Sequence, residues 1–159
     1  MMKSWALCLI AGLALGVEAT AGERDDQATT DRLQAALDEQ GVALSVGAHC
    51  GGDFTGGGSP EHAFAALDET GTAGAYYAYA GGALFELAEF AGRPELRCLS
   101  PSEAADLNAA IAQAEAVSGS LPDSPPGHIV CGFIDSTEAH CWGYDRSANA
   151  FVKVGGWVT

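Results

Sequence analysis

Cys131 and Cys141 bracket a polar turn, and that arrangement constrains the chain more than any other feature. Residues 128–134 and 139–144 read as strands, and Asp135-Ser136-Thr137 as the turn between them. A three-residue turn at 135–137 sets Ile134 opposite Glu138. In that register Cys131 falls opposite Cys141. Directly opposed residues on neighbouring strands have β-carbons about 4.5–5.5 Å apart, and the closer sites approach disulfide geometry. A second turn at 145–149 and a third strand at 151–158 complete an antiparallel meander that carries Trp142, Tyr144, Phe151 and Trp157.

A disulfide needs an oxidising compartment, and the N-terminus suggests one. Met1-Met2-Lys3 is a short basic region, residues 5–17 are an uncharged apolar run, and Ala19-Thr20-Ala21 is an A-x-A cleavage pattern. The run is short for a bilayer span, which takes about 20 residues. The expectation is a signal peptide at 1–21 and a mature domain at 22–159, periplasmic or extracellular. Cleavage removes Cys8 and leaves Cys50, Cys98, Cys131 and Cys141. Of the three pairings these allow, the hairpin register favours Cys131–Cys141, which leaves Cys50 for Cys98. A zinc site would want C-x2-4-C spacings, and none occurs, so no metal or cofactor is expected.

Composition narrows the partners. The 159 residues carry 21 acids against 7 bases, a net charge of −14. Loss of Lys3 and Glu18 with the signal leaves that charge unchanged. Nucleic acid and anionic membrane are poor partners for such a surface, whereas a basic protein is steered toward it. Hydrophobic residues make up 48%, but 30 residues are alanine and 21 more are glycine, so bulky core side chains are few.

Upstream of the meander the patterns point to helices. Thr30 or Asp31 caps an expected helix to about Gln40, with Leu33, Ala36 and Leu37 inward, after a loose start at 22–30. Residues 42–48 alternate as one strand and run into a glycine-rich loop at 51–58. Ser59-Pro60-Glu61 reads as a helix start. Tyr77, Ala80, Leu84, Leu87 and Ala91 recur at helical spacing, so 73–91 reads as a longer helix, weakened by Gly81-Gly82. Ser100-Pro101-Ser102-Glu103 is a capping box for a helix to about Val117. Residues 118–127, with three prolines, read as a linker. The expected fold is α+β: a small helical body with one short strand (helical part about 30–118), then a three-stranded antiparallel meander at 128–158, disulfide-stapled.

Several stretches are candidates for chemistry. His49-Cys50-Gly51-Gly52-Asp53 places a thiol in a glycine loop, where it would serve as nucleophile with a distant base such as His128. His49 itself points to the opposite face of an extended chain. A disulfide at Cys50 removes this reading. Gly56-Gly57-Gly58-Ser59 offers amides to an anion but brings no Lys or Arg with it. His49, His62, His128 and His140 fall at no ligand spacing, and Asp135, Glu138 and Asp145 form no EF-hand loop. Tyr76, Tyr77 and Tyr79, with Trp142, Tyr144 and Trp157, cover more than one face of their elements. They are the candidate binding residues, with ordinary core packing as the competing and stronger reading.

Two family likenesses follow from these residues. Gly127-His-Ile-Val-Cys131-Gly-Phe with Ala139-His-Cys141-Trp-Gly-Tyr-Asp145 resembles one unit of the bacterial regulator-of-chromosome-condensation type repeat, which implies a hairpin. Tyr76-Tyr77-Ala-Tyr79-Ala-Gly-Gly82, then Arg97-Cys98-Leu99-Ser100-Pro101 and an alanine-rich helix, is similar to Tai-like immunity proteins of type VI secretion over about 50–118. In this chain Ala75 stands where that family has a cysteine. The resemblance implies a small exported helical protein that neutralises a toxin by binding it. The functional expectation is thus an exported acidic binding protein, an inhibitor or immunity protein rather than an enzyme. The alternatives are a small thiol-dependent or hydrolytic enzyme using Cys50, and a structural accessory protein of the envelope.

Overall fold

A computed structural model describes residues 23–159; the expected signal segment, 1–21, lies outside the described residues. Helix α1 (Glu23–Glu39) leads into β1 (Ser45–Gly52), β2 (Glu61–Leu67), β3 (Ala73–Ala80) and β4 (Ala83–Ala91). Then come β5 (Leu96–Leu99), α2 (Pro101–Gln113), β6 (Ser118–Ser120), β7 (Ile129–Phe133), β8 (Glu138–Asp145) and β9 (Ala150–Val158). The first sheet is an antiparallel meander, β1-β2-β3-β4, and the second has the order β5-β7-β8-β9-β6. The expected α+β class, a helical body with one short strand, is overturned: the described chain is mostly β, with two helices.

Three apolar layers hold four structural ones together. Leu33 and Leu37 of α1 pack with Phe64, Ala66, Ala75 and Tyr77 on the outer face of the first sheet. Between the sheets lie Phe54, Ala63, Ala65, Tyr76, Phe90, Val130 and Trp142. On the far face of the second sheet, Ala104 and Ile111 of α2 meet Ile129, Cys131, Cys141 and Trp157. The order is helix, sheet, sheet, helix.

That layering explains where the helical expectation fails. A strand covered on both faces loses its polar alternation and reads as a continuous apolar run. In β2, Ala63 and Ala65 face the second sheet while Phe64 and Ala66 face α1. The segment after Ser59-Pro60-Glu61 is therefore a strand rather than a helix. Residues 73–91 are a hairpin, β3 and β4, turning at Gly81 and Gly82. Both have positive φ, +58° and +77°, as a two-residue turn of this hand requires. The stretch 76–82, helical by the immunity-protein likeness, is strand and turn here.

Smaller corrections have local causes. Helix α1 starts at Glu23 instead of near Thr30. Its added turns are tied down by Gln27 Nε2 donating to Asp31 Oδ1 at 2.8 Å, and by Asp26 against His49 Nε2 at 2.8 Å. Strand β1 runs on through Cys50 to Gly52, into the expected loop. Strands β5 and β6 were not expected; β6 falls in the supposed linker and pairs with the end of β9, Gly119 opposite Trp157. Helix α2 has the expected box: Ser100 Oγ accepts from Glu103 N, and Ser100 N donates to Glu103 Oε2 at 2.7 Å. It ends at Gln113, short of Val117.

The C-terminal hairpin stands as the cysteines require. Cys131 pairs with Cys141 across β7 and β8, and the two are bonded with Cα atoms 4.1 Å apart. Strand β9 completes the meander. The second disulfide, Cys50–Cys98, joins β1 of one sheet to β5 of the other. Among the described residues, no helix is long and apolar enough to cross a membrane.

Candidate binding groove

Strand β6 stays beside β9 only as far as Ser120, opposite Gly156. The chain then turns away, and residues 121–128 lead back to β7 along the outer side of the second sheet. An open groove of about 680 Å³ remains there. Ile129, Gly143, Val152 and Val154 line it from the sheet, and Pro122, Pro125 and Pro126 from the returning loop. Val152 is 38% exposed, one of two large exposed hydrophobic residues on the described surface.

The far end is closed by two loops that Arg146 ties together. Its Nε and Nη2 both donate to the carbonyl oxygen of Thr55, at 3.1 and 2.9 Å. Thr55 is held from the other side by Glu61. That carboxylate, 6% exposed, accepts from Phe54 N, Thr55 N and Thr55 Oγ1 at 2.9, 3.0 and 2.6 Å. His128 N donates to Asp53 O at 3.0 Å. A side chain at Gly127 would collide with the carbonyl oxygens of Asp53 and Phe54, so only glycine lets the two loops approach this closely. Phe54 then stands edge-on to Phe151 and to His128.

The charges at this end are unequal in how they are met. Asp145 turns its carboxylate into its own loop and accepts from Ser147 Oγ, Ser147 N and Ala148 N. The Ser147 hydroxyl, then the two amides, hold that carboxyl below the usual range. Arg146 is bound only to a neutral carbonyl. Among the described residues no carboxylate lies within ion-pair distance of it.

The sequence-expected residues fall elsewhere, apart from Tyr144 and His128. Tyr76 and Trp142 are buried between the sheets. Tyr76 Oη donates to Phe133 O at 2.7 Å and lies near Glu95 N and O. Burial, chiefly, pushes its phenol up to about 12. Tyr77 is buried toward α1 with Tyr79 half-buried beside it, and Trp157 is buried toward α2. Tyr144 is half-buried, lines the groove and packs edge-on against Phe85 and Phe151.

The other candidates for chemistry have structural partners. Cys50 is bonded to Cys98 and offers no thiol. His49 meets Asp26, and His140 meets Glu138 at 2.6 Å. His62 lies 3.3 Å from Arg32; burial first, then Arg32 and His49, lower its pKa. Asp135 accepts from the amides of Thr137 and Glu138 in the hairpin turn. Sequence reasoning missed Arg146, Glu61 and Val152. Glu61 had a signal, as an acid amid alanines, but it was absorbed into a helix start.

Compared with protein-family models, curated proteins and solved structures, the chain matches none of them.

Proposed function

We propose that this is a small exported acidic protein that binds another protein and neutralises it, as an inhibitor or immunity protein does. The groove carries the reading: an apolar floor with few polar groups at one end is the usual form of a binding site. Val152 is a large apolar side chain left open to a partner. The two disulfides support export, since such bonds persist in oxidising compartments. The net charge of −14 favours a basic partner through long-range steering. The thiol-enzyme alternative finds no support at Cys50, whose sulfur is already bonded.

Co-purification tests this. Protein secreted through its own N-terminal segment, tagged and recovered from the native envelope, should bring down one partner at near-equal amount. Val152→Asp should lose that partner while melting like the parent. Recovery of the protein alone, or equal recovery with the variant, would contradict the reading.

A further inference from the structure

We infer that the groove is selective for an apolar chain that ends in a free carboxylate, and that Arg146 reads the carboxylate. The inference rests on the binding reading above and names the ligand chemistry. Among 21 acids and 7 bases, an arginine without a carboxylate partner stands out. Arg146 spends Nε and Nη2 on one neutral oxygen, Thr55 O, which fixes the guanidinium at the groove mouth. A guanidinium carries five N–H donors, so others remain for an anion, and its charge is not cancelled.

The neighbouring acids do not compete for it. Asp145 is occupied by Ser147 and Ala148. Glu61 is occupied by Phe54 and Thr55. Asp123 accepts from Asn108 Nδ2 at 2.9 Å. Away from Arg146 the lining is apolar, with Ile129, Val152 and Val154 on the floor and prolines on the wall. One end of the site therefore attracts an anion and the rest excludes charge. Its volume, about 680 Å³, lies in the range of sites that enclose compact organic ligands. A protein C-terminus with apolar last residues has this chemistry, and so does a free alkyl carboxylate. A basic partner is compatible with it, because only the terminal carboxylate need reach Arg146.

Titration calorimetry on the full secreted protein separates the cases. The probes are a hexapeptide ending in Val-Val-Leu with a free carboxylate, the same peptide amidated, and dodecanoate. The free-acid peptide should bind at least about tenfold more tightly than the amide, as expected for a charge-assisted contact. Arg146→Gln should erase that difference. Arg146→Lys, which keeps the charge without the fork to Thr55, should retain part of it. Val152→Asp should abolish binding with the loop clamp intact. Binding of dodecanoate but neither peptide, with the same Arg146 dependence, would also support carboxylate selection and assign a free acid as its source. Equal binding of acid and amide, or no binding of any probe, would overturn the inference. A co-purified partner held through the groove without a free C-terminus would also overturn it, leaving the binding reading in place.

Discussion

Thr55 is gripped from both sides: Arg146 donates twice to its carbonyl oxygen, and Glu61 accepts from its amide and its hydroxyl. Arg146 lies 91 residues away in the last hairpin turn, whereas Glu61 opens β2. One small residue thus couples the first sheet to the second at the mouth of the groove. Glu61→Ala would leave the amides of Phe54 and Thr55 without their acceptor. The expected cost is about 2–3 kcal/mol, since burying an unsatisfied donor costs about 1–3 kcal/mol and more where the lost partner is charged. Urea unfolding of the variant measures it, and Glu61→Gln should lose less.

The sheets are also tied by Tyr76, whose hydroxyl reaches Phe133 O from β3. Tyr76→Phe should cost about 1–2 kcal/mol. Alkali gives a sharper test. Burial raises the folded phenol from 10.0 to about 12, so the unfolded chain ionises first. The stability this tyrosine contributes is complete below pH 10 and is lost as pH rises toward 12. Unfolding followed between those values should show a steeper decline in the parent than in Tyr76→Phe.

On the acid side, His62 carries the corresponding prediction. It lies beside Arg32 and His49, with Asp26 on His49, between α1 and the first sheet. Its folded pKa is lowered from 6.5, chiefly by burial. A lowered base is neutral in the folded chain and charges more easily once unfolded. Its stabilising effect is therefore whole above pH 6.5 and falls as pH drops toward the folded value. His62→Gln should flatten the stability profile across that window, with amide exchange in α1 reporting where the change falls.

The disulfides should differ in weight. In the chain-entropy model, a crosslink across 48 residues contributes about 4 kcal/mol and one across 10 about 3 kcal/mol. Replacing Cys50 and Cys98 by serine should therefore lower the melting temperature more than replacing Cys131 and Cys141. Iodoacetamide should leave Cys50 unlabelled in the unreduced protein. Labelling there would restore a thiol to the His49–Asp53 stretch.

Legibility followed locality. The Ser100–Glu103 box acts within one turn of chain, and the Cys131–Cys141 register follows from the 135–137 turn between the two strands. The hairpin at 73–91 was misread because both its faces are covered. Tyr76 looks toward the second sheet and Tyr77 toward α1, so apolar residues recur without the alternation that marks a strand. Gly81-Gly82, taken as a flaw in a helix, was the turn itself. The groove was hidden for another reason. It gathers residues near 54, 122–128, 143–147 and 152–154, and only the pairing order of the second sheet brings these together. Arg146 in sequence is one charged residue in a polar turn, and nothing nearby marks its reach to Thr55.

The account stands on the groove being where a partner protein sits. Site-specific photo-cross-linking in the native envelope tests this most directly, with a benzoylphenylalanine at position 152 and, for comparison, at Asp38 on the exposed side of α1. The account predicts one discrete higher-mass adduct from position 152 and none from position 38. Adducts from position 38 alone, or from neither position, would contradict it.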